Sequence, residues 1–419
     1  MNVAGRVAET AGELWSEGRG PTLLAVAGAW FLALGTRLTV PAVLPYVRAD
    51  LGIDNAAAGT VVTALWVAYA LTQFPSGLLT DRLGERRILV GSMLLGAFAV
   101  LVLGLTAGLV GLVAGVLLYG LGTGLFATPR VMVVSRVYPR RATTALGVVF
   151  AAGNVGNTAL PALAGVAAGA VGWRAGFLAL APAFVLSAVG LRAALPRDGG
   201  GPGAAVEGGD RDGSDPGLAG TLADLRSRPV GFAAAALVLF AFAYQGLVGF
   251  LPTYLVDAKG LDPGLASVLF GAFFASGLVA QLAAGGLADR HGRRPLLVAT
   301  LVAALVGLIA LTAAEGLPAL AGLVVVLGLQ LGFWPVVNAY AYDALPTGSR
   351  GGAYGLVRTV YLCLGATGPL VVGTLFDAGR YDGAFLVLGG VFALVMLVCA
   401  VLPAAGRPAA GAGSGAGGS

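Results

Sequence analysis

Long apolar runs alternate with short polar breaks along this chain, and the runs carry too little charge for a water-facing surface. Twelve of them can be read, at 22–46, 57–80, 88–107, 110–135, 144–168 and 173–194, then 231–255, 265–288, 296–314, 317–342, 351–376 and 384–403. A helix needs about 20 mostly apolar residues to cross the hydrocarbon core of a bilayer. The pattern therefore predicts an all-α polytopic membrane protein with twelve transmembrane helices in two six-helix bundles, 22–194 and 231–403. The one long polar gap, 195–230, contains Asp198-Gly199-Gly200-Gly201-Pro202 and reads as a linker. Residues 1–21 read as a short surface helix with Glu9, Glu13 and Glu17 at four-residue spacing and no cleavable leader. The Gly/Ala/Ser-rich stretch 404–419 reads as a disordered tail.

Composition sharpens this picture. Hydrophobic residues make up 58% of the 419, charged residues 11%, and mean hydropathy is +0.89; a soluble domain carries about 25% charged residues. The net charge of +5 is not a nucleic-acid footprint, because the basic residues sit in short loops between the apolar runs. With the N-terminus inside, eighteen arginines fall on inner segments, and only Arg48, Arg174, Lys259 and Arg380 on outer ones. The positive-inside rule then expects both termini and the linker in the cytoplasm of a cell-membrane protein. Cys363 and Cys399 lie within apolar runs, and His291 has no second ligand near it in sequence, so neither a metal nor a cofactor is implied. No phosphate-binding loop of the Walker kind is present, which excludes ATP drive from this chain. An enzyme is not expected.

The two halves repeat at a constant offset of 208 residues. Asp81 pairs with Asp289, Arg82 with Arg290, Arg86 with Arg294, Pro161 with Pro369 and Phe177 with Phe385. Glycines follow the same register, Gly77 with Gly285 and Gly84 with Gly292. Parallel repeats of this kind are a known transporter plan, with the substrate held near the midplane between them.

The most specific motif is the repeated loop, Gly77-Leu78-Leu79-Thr80-Asp81-Arg82-Leu83-Gly84-Glu85-Arg86-Arg87 and Gly285-Gly286-Leu287-Ala288-Asp289-Arg290-His291-Gly292-Arg293-Arg294. It resembles the loop signature of the major facilitator superfamily, and the resemblance covers nearly the whole chain. Gly77 and Gly285 are expected to allow close helix packing, and Gly84 and Gly292 a tight turn. The resemblance implies that Asp81 and Asp289, with the arginines around them, form a gate latch that breaks and re-forms during alternating access. The alternative is a static loop staple. Two departures from family patterns stand out. Val116, not arginine, precedes Gly120 by four residues in helix 4, and helix 5 reads Gly156-Asn157-Thr158-Ala159-Leu160-Pro161 without the Gly-Pro pair of many drug–proton antiporters.

Inside the predicted spans there is no aspartate or glutamate in any core, but Arg37, Arg130 and Arg358 lie there in helices 1, 4 and 11. A charge at the bilayer centre costs about 2.5–3.5 kcal/mol on insertion scales and marks a ligand or a partner. Without a buried carboxylate, the expected partner is an anionic ligand, which the guanidinium fork suits. The repeat places Gln245 opposite Arg37 and Asn338 opposite Arg130, and Gln73 opposite Gln281. The family resemblance implies that helices 1, 4, 7 and 10 line a central cavity, so these residues are expected to converge. Arg37 resembles the helix 1 arginine of the organic-anion and phosphate-ester branches, with a guanidinium packed on backbone carbonyls as the alternative. Arg130, six residues from Arg136, has snorkelling toward the cytoplasm as its alternative. Arg358 shares a helix face with Tyr354 and Tyr361.

Helix 5 also carries Gly153-Asn154-Val155-Gly156-Asn157, similar to the Gly-Asn signature of nitrate and nitrite porters. Those proteins bind the anion with arginines in helices 2 and 8, where Gln73 and Gln281 stand here. Asn157 is a candidate ligand contact, or else a helix–helix hydrogen bond. Tyr244, Trp334 and Tyr361 are expected to wall a small polar ligand, while Trp30 and Trp66 read as packing or interface residues. The expected function is a secondary transporter of a small organic or inorganic anion, with a coupling ion or counter-anion, acting as a monomer among membrane lipids. The alternatives are an exporter of hydrophobic or cationic compounds, which would prefer an acidic cavity residue, and a non-transporting ligand sensor.

Overall fold

The computed structural model describes Trp15 and residues 19–196, 228–345 and 350–401. The expected N-terminal surface helix, most of the 195–230 linker and the 404–419 tail lie outside the described residues. The first half comprises α1 (Gly20–Leu51), α2 in two pieces (Asn55–Leu71 and Gln73–Leu83), α3 (Glu85–Leu105), α4 in two pieces (Leu109–Leu125 and Ala127–Val137), α5 (Ala142–Val171) and α6 (Trp173–Ala194). The second comprises α7 (Arg228–Asp257), α8 (Pro263–His291), α9 (Arg293–Ala313), α10 (Leu317–Gly328, a 3-10 turn at Leu329–Gly332, then Phe333–Ala344), α11 (Arg350–Gly365 and Gly368–Asp377) and α12 (Tyr381–Ala400). Among the described residues, eleven helical spans are long and apolar enough to cross a membrane, and the bent α2 pair makes a twelfth. The protein is a multi-pass membrane protein.

Four of the predicted spans are interrupted, and proline accounts for the breaks. In α2, Pro75 cannot donate an amide to the Leu71 carbonyl, and the two pieces meet at 49°. The Thr72 hydroxyl reinforces the break by donating back to the carbonyls of Ala68 and Tyr69, each at 3.1 Å. The repeat position of Pro75 is Ala283, and α8 runs unbroken from Pro263 to His291. In α4, Pro129 frees the Leu125 carbonyl, and the Ser76 hydroxyl of α2 donates to it at 2.8 Å. Within a bilayer such a freed carbonyl needs a protein donor, and this one has it.

Small residues set the helix spacing. A side chain on Gly35 of α1 would run into the Gly156 carbonyl of α5, and one on Gly156 would meet the Phe31 carbonyl. The two helices therefore pack backbone against backbone. Gly84 and Gly292 have φ of 85° and 91°, the left-handed region that their loop turns require.

The halves join tightly at the face remote from the start of α1 and the end of α12. There Arg48 of α1 pairs with Asp257 of α7 at 2.6 Å. The Asp377 carboxylate at the end of α11 accepts from the Asn55 amide at 2.8 Å, the Asn55 side chain at 3.0 Å and the Ala56 amide at 2.8 Å. Ser267 of α8 donates to the Ala42 carbonyl at 3.0 Å. A Cβ on Gly59 of α2 would strike the Pro369 carbonyl of α11, and Gly373 lies as close to the Asn55 carbonyl. The second-half core extends through this seam onto Leu38, Ala42, Leu44, Ala58 and Val62.

At the face where α1 begins and α12 ends the picture is different. Asp81 and Asp289 are exposed, and among the described residues neither carboxylate has a hydrogen-bond or ion-pair partner. Gly77 meets nothing closer than a Thr128 methyl at 4.0 Å, and Gly285 faces open space. The close packing expected of these two glycines is therefore not made in this conformation, because the helix ends there stand apart. Arg82, Arg290 and Arg294 are exposed as well, and Arg86 donates to the Arg192 carbonyl. Each half has an ion pair of its own at this face. Glu85 pairs with Arg136 at 2.5 Å, and Arg293, its repeat counterpart, with Asp343 at 2.7 Å, so the polarity is reversed.

Candidate functional site

Of the three membrane arginines, Arg37 and Arg130 are buried and Arg358 is half-buried, and the three lie in electrostatic range of one another. Arg37 projects from the middle of α1 and is 8% exposed. Its guanidinium lies over the rings of Trp66 and Tyr69 in the last turns of the first α2 piece, 4.5 and 4.4 Å from their centroids. Tyr69 is placed there by the break at Thr72, which ends the helix one turn beyond it. Arg37 and, from the other half, Arg358 lie in electrostatic range of the Tyr69 hydroxyl. Arg130 acts on the same hydroxyl at longer electrostatic range. One phenol thus gathers the fields of three cations.

Arg130 occupies its own aromatic slot. It follows Pro129 in the first turn of the second α4 piece and is 4% exposed, so it does not snorkel. Its guanidinium stacks 3.6 Å from the Trp30 centroid and 5.0 Å from that of Phe150. Each desolvated cation–π contact contributes about 1–2 kcal/mol, which offsets only part of the cost of burial. Trp30 and Trp66, expected to serve as packing, are in fact the stacking floors of two arginines. Aromatic identity at helical spacing could not reveal this, since the partner comes from another helix.

The second half supplies polar groups and a further aromatic cluster. Asn338 of α10 donates to the Trp334 carbonyl at 2.7 Å and accepts from the Tyr354 hydroxyl at 2.6 Å. Trp334 lies 5.7 Å from both Tyr361 and Tyr244, centroid to centroid. Tyr361 is in electrostatic contact with Arg358 and Tyr69, and Tyr244 with Arg37. Gln245 is buried beside Gly365 of α11, its Nε2 2.9 Å from where a Cβ would stand. Asn157 is buried on α5. Asn154 donates to the Gln281 side chain at 3.4 Å, while Gln73 turns back to the Tyr69 carbonyl at 3.4 Å. The two glutamines thus sit in helix-to-helix or local contacts.

Satisfaction of these groups is incomplete. Buried Nε atoms of Arg37, Arg130 and Arg358, Nη1 of Arg130, and the side-chain oxygens of Asn157 and Gln245 have no hydrogen-bond partner in the protein. Among the described residues no carboxylate lies within ion-pair distance of any of the three arginines. An unpaired donor on a buried cation costs upward of about 1–3 kcal/mol. The arrangement is one that an anion would neutralise and hydrogen-bond. Tyr69 is the site residue that the sequence reading passed over, and only its contacts identify it.

Comparisons with known proteins agree with this architecture. The family model described as Major Facilitator Superfamily matches residues 25–279 and again 254–418. The chain is 25% identical to a hexuronate transporter of Bacillus subtilis (strain 168) over 94% of its own length and 98% of the relative's. It is 27% identical to a cis,cis-muconate transport protein of Acinetobacter baylyi (strain ATCC 33305 / BD413 / ADP1), with 85% and 87% covered. A crystal structure of a substituted form of the nucleoside transporter NupG superposes with a TM-score of 0.78 at 15% identity, covering 91% of this chain and 98% of that one.

Proposed function

The chain belongs to the Major Facilitator Superfamily, and from that premise we propose that it is a secondary active transporter moving a small anionic solute across the cell membrane by alternating access. The observation that carries the reading is the set of arginines within the spans, Arg37 and Arg130 of one half and Arg358 of the other, whose buried guanidinium nitrogens lack hydrogen-bond partners and which have no carboxylate within ion-pair distance among the described residues. A bound anion would bridge the halves there, so its binding free energy would act on the equilibrium between the two access states. Relatives named for hexuronate and muconate transport support an anionic substrate. The seam closed by Arg48–Asp257 and Asp377, together with the unpartnered Asp81 and Asp289 opposite, supports an inward-facing state with both termini in the cytoplasm. In this reading the signature aspartates are the latch that engages when the inner face closes. Arg130, Gln245, Asn338, Tyr244, Tyr361 and Asn157 contribute the remaining polar and aromatic contacts, and the transporter works as a monomer with a counter-anion or coupling ion.

The test is thermal unfolding of the purified protein in detergent against a panel of anions, cations and neutral solutes, with Arg37→Ala in parallel. A ligand at 100 times its Kd adds about 2.7 kcal/mol to stability. Stabilisation by anions that disappears in Arg37→Ala supports the proposal. Stabilisation by cations or lipophiles, equal in both proteins, rejects it.

A further inference from the structure

The Arg130 guanidinium lies 3.6 Å from the Trp30 centroid and 5.0 Å from that of Phe150 on α5. Its Nε and Nη1 are buried without hydrogen-bond partners, so rings rather than polar contacts orient that edge of the group. Trp30 is itself confined. It is 5% exposed and stacks on Phe126 of α4 with centroids 6.0 Å apart and planes 8° from parallel. The pyrrole edge of the indole abuts Gly153 of α5, about one turn beyond Phe150. A Cβ at Gly153 would stand 2.4 Å from both Cδ1 and Nε1 of Trp30, and 2.9 Å from a Leu34 methyl. The Leu34 methyl can turn away, but the rigid indole is held by the partners on its faces. The repeat exchanges the sizes, with Val238 at the Trp30 position and Tyr361 at the Gly153 position, so the second half cannot build the same socket.

We propose that Gly153 is a positioning residue for Arg130, acting through Trp30; the inference rests on the reading just given, in which Arg130 is a substrate contact. Non-bonded carbon atoms rest about 3.5–4.0 Å apart, so a methyl group at position 153 makes the indole retreat by about 1 Å. A binding group has to be held within about 0.5 Å of its working position. The retreat either carries the stacked guanidinium along or takes the floor from under it. In both cases Arg130 loses its place while its charge and its helix are kept. Gly156, one turn further along α5, has a different task, since the atom it makes room for is a backbone carbonyl of Phe31.

Two readouts on the full chain in detergent test this. The first needs no ligand. With fluorotryptophan incorporated, the Trp30 fluorine resonance is identified by its loss in Trp30→Phe, and Arg130→Gln is expected to shift it. In Gly153→Ala the resonance is expected to move, and the further shift produced by Arg130→Gln to fall well below its wild-type size. A response to Arg130→Gln as large as in the wild type means that the stack survives, and overturns the proposal. Should Gly153→Ala fail to fold, adding Trp30→Phe, a smaller ring, is expected to restore folding; no restoration overturns the proposal, because the obstacle is then not the indole. The second readout is affinity for glucuronate, cis,cis-muconate and nitrite by calorimetry. A charge-assisted hydrogen bond is worth a factor of about ten to a hundred, so Gly153→Ala is expected to weaken binding about tenfold. In an Arg130→Gln background the same substitution is expected to change affinity less than about twofold, since the group it displaces is gone. Gly96→Ala, whose methyl meets the Phe184 ring at 2.8 Å elsewhere in the first half, is the control for a packing defect. Equal losses from Gly153→Ala in both backgrounds overturn the proposal and leave the anion carrier standing. Binding of none of the three anions by the wild type overturns the anion reading and the substrate role of Arg130, and the ligand-free resonance shifts then decide the seating by Gly153 separately.

Discussion

Removal of the Asp377 carboxylate is expected to open the seam remote from the start of α1 and the end of α12. The first α2 piece begins at Asn55, and like every helix it has four N–H groups without partners inside the helix. Here all four are accounted for. The Asn55 and Ala56 amides donate to Asp377 of the opposite half, each at 2.8 Å. The Ala57 amide donates to the Asp54 side chain at 2.7 Å and the Ala58 amide to the Asp54 carbonyl at 3.1 Å. Asp377 therefore does for α2 what its own capping residue does, but across the interface and with a full charge at the positive end of a helix. Three hydrogen bonds to a carboxylate would contribute several kcal/mol if buried. Asp377 is exposed, water competes for the same groups when the halves part, and the net contribution is about 1–2 kcal/mol. That corresponds to a 5- to 30-fold shift in the ratio of closed to open states at this face.

The assay is a spin-label distance measurement. Labels on Ile53→Cys and Ala378→Cys, in a background with Cys363 and Cys399 replaced by alanine, bracket the seam. Asp377→Ala is expected to transfer population to a longer distance, and Asp377→Asn, which keeps one acceptor oxygen, to do so by less. An unchanged distance distribution in a folded Asp377→Ala protein would refute the reasoning. It would mean that the glycine packing of Gly59 on Pro369 and Gly373 on Asn55 holds the seam alone.

Two further outcomes follow from the packing. Gly156→Ala is expected to lower stability by about 1–3 kcal/mol, because the added methyl meets the Phe31 carbonyl of a rigid neighbouring helix. Gly28→Ala, with nothing within 4 Å of the new atom, serves as the control in the same thermal unfolding series. Ser76→Ala is expected to cost about 1–2 kcal/mol by orphaning the Leu125 carbonyl that Pro129 frees. The cost should largely vanish when Pro129→Ala restores the helical donor, and additive effects in this double-mutant cycle would contradict the account of the α4 break.

The sequence by itself determined the class, the span pattern and the family. Those properties rest on mean hydropathy, on helix length against bilayer thickness, and on a 208-residue repeat carrying a specific loop, all of which are local or linear. It also singled out Arg37, Arg130 and Arg358, because a charge in an apolar run is costly wherever the run folds. It did not reveal the breaks in α2, α4, α10 and α11, although Pro75, Pro129, Pro335 and Pro369 were in view. Proline also sits within α1 and α5 without dividing them, at Pro41, Pro45 and Pro161. Whether a helix breaks at proline depends on which donor reaches the freed carbonyl, as Ser76 does for Leu125, and that donor belongs to another helix.

Tertiary structure alone decided the pairing of arginines with rings. Trp66 and Tyr69 lie about 30 residues from Arg37, and Trp30 lies 100 from Arg130, so no periodicity along one helix connects them. It decided as well which end of the bundle is closed in this conformation. The signature aspartates that the sequence marks as a latch stand free here, and the working clasp is Asp377 on Asn55 at the other face, where no motif announces it. A carboxylate near a loop is commonplace in sequence. It becomes a clasp only when packing brings it to the bare amides at the start of another helix.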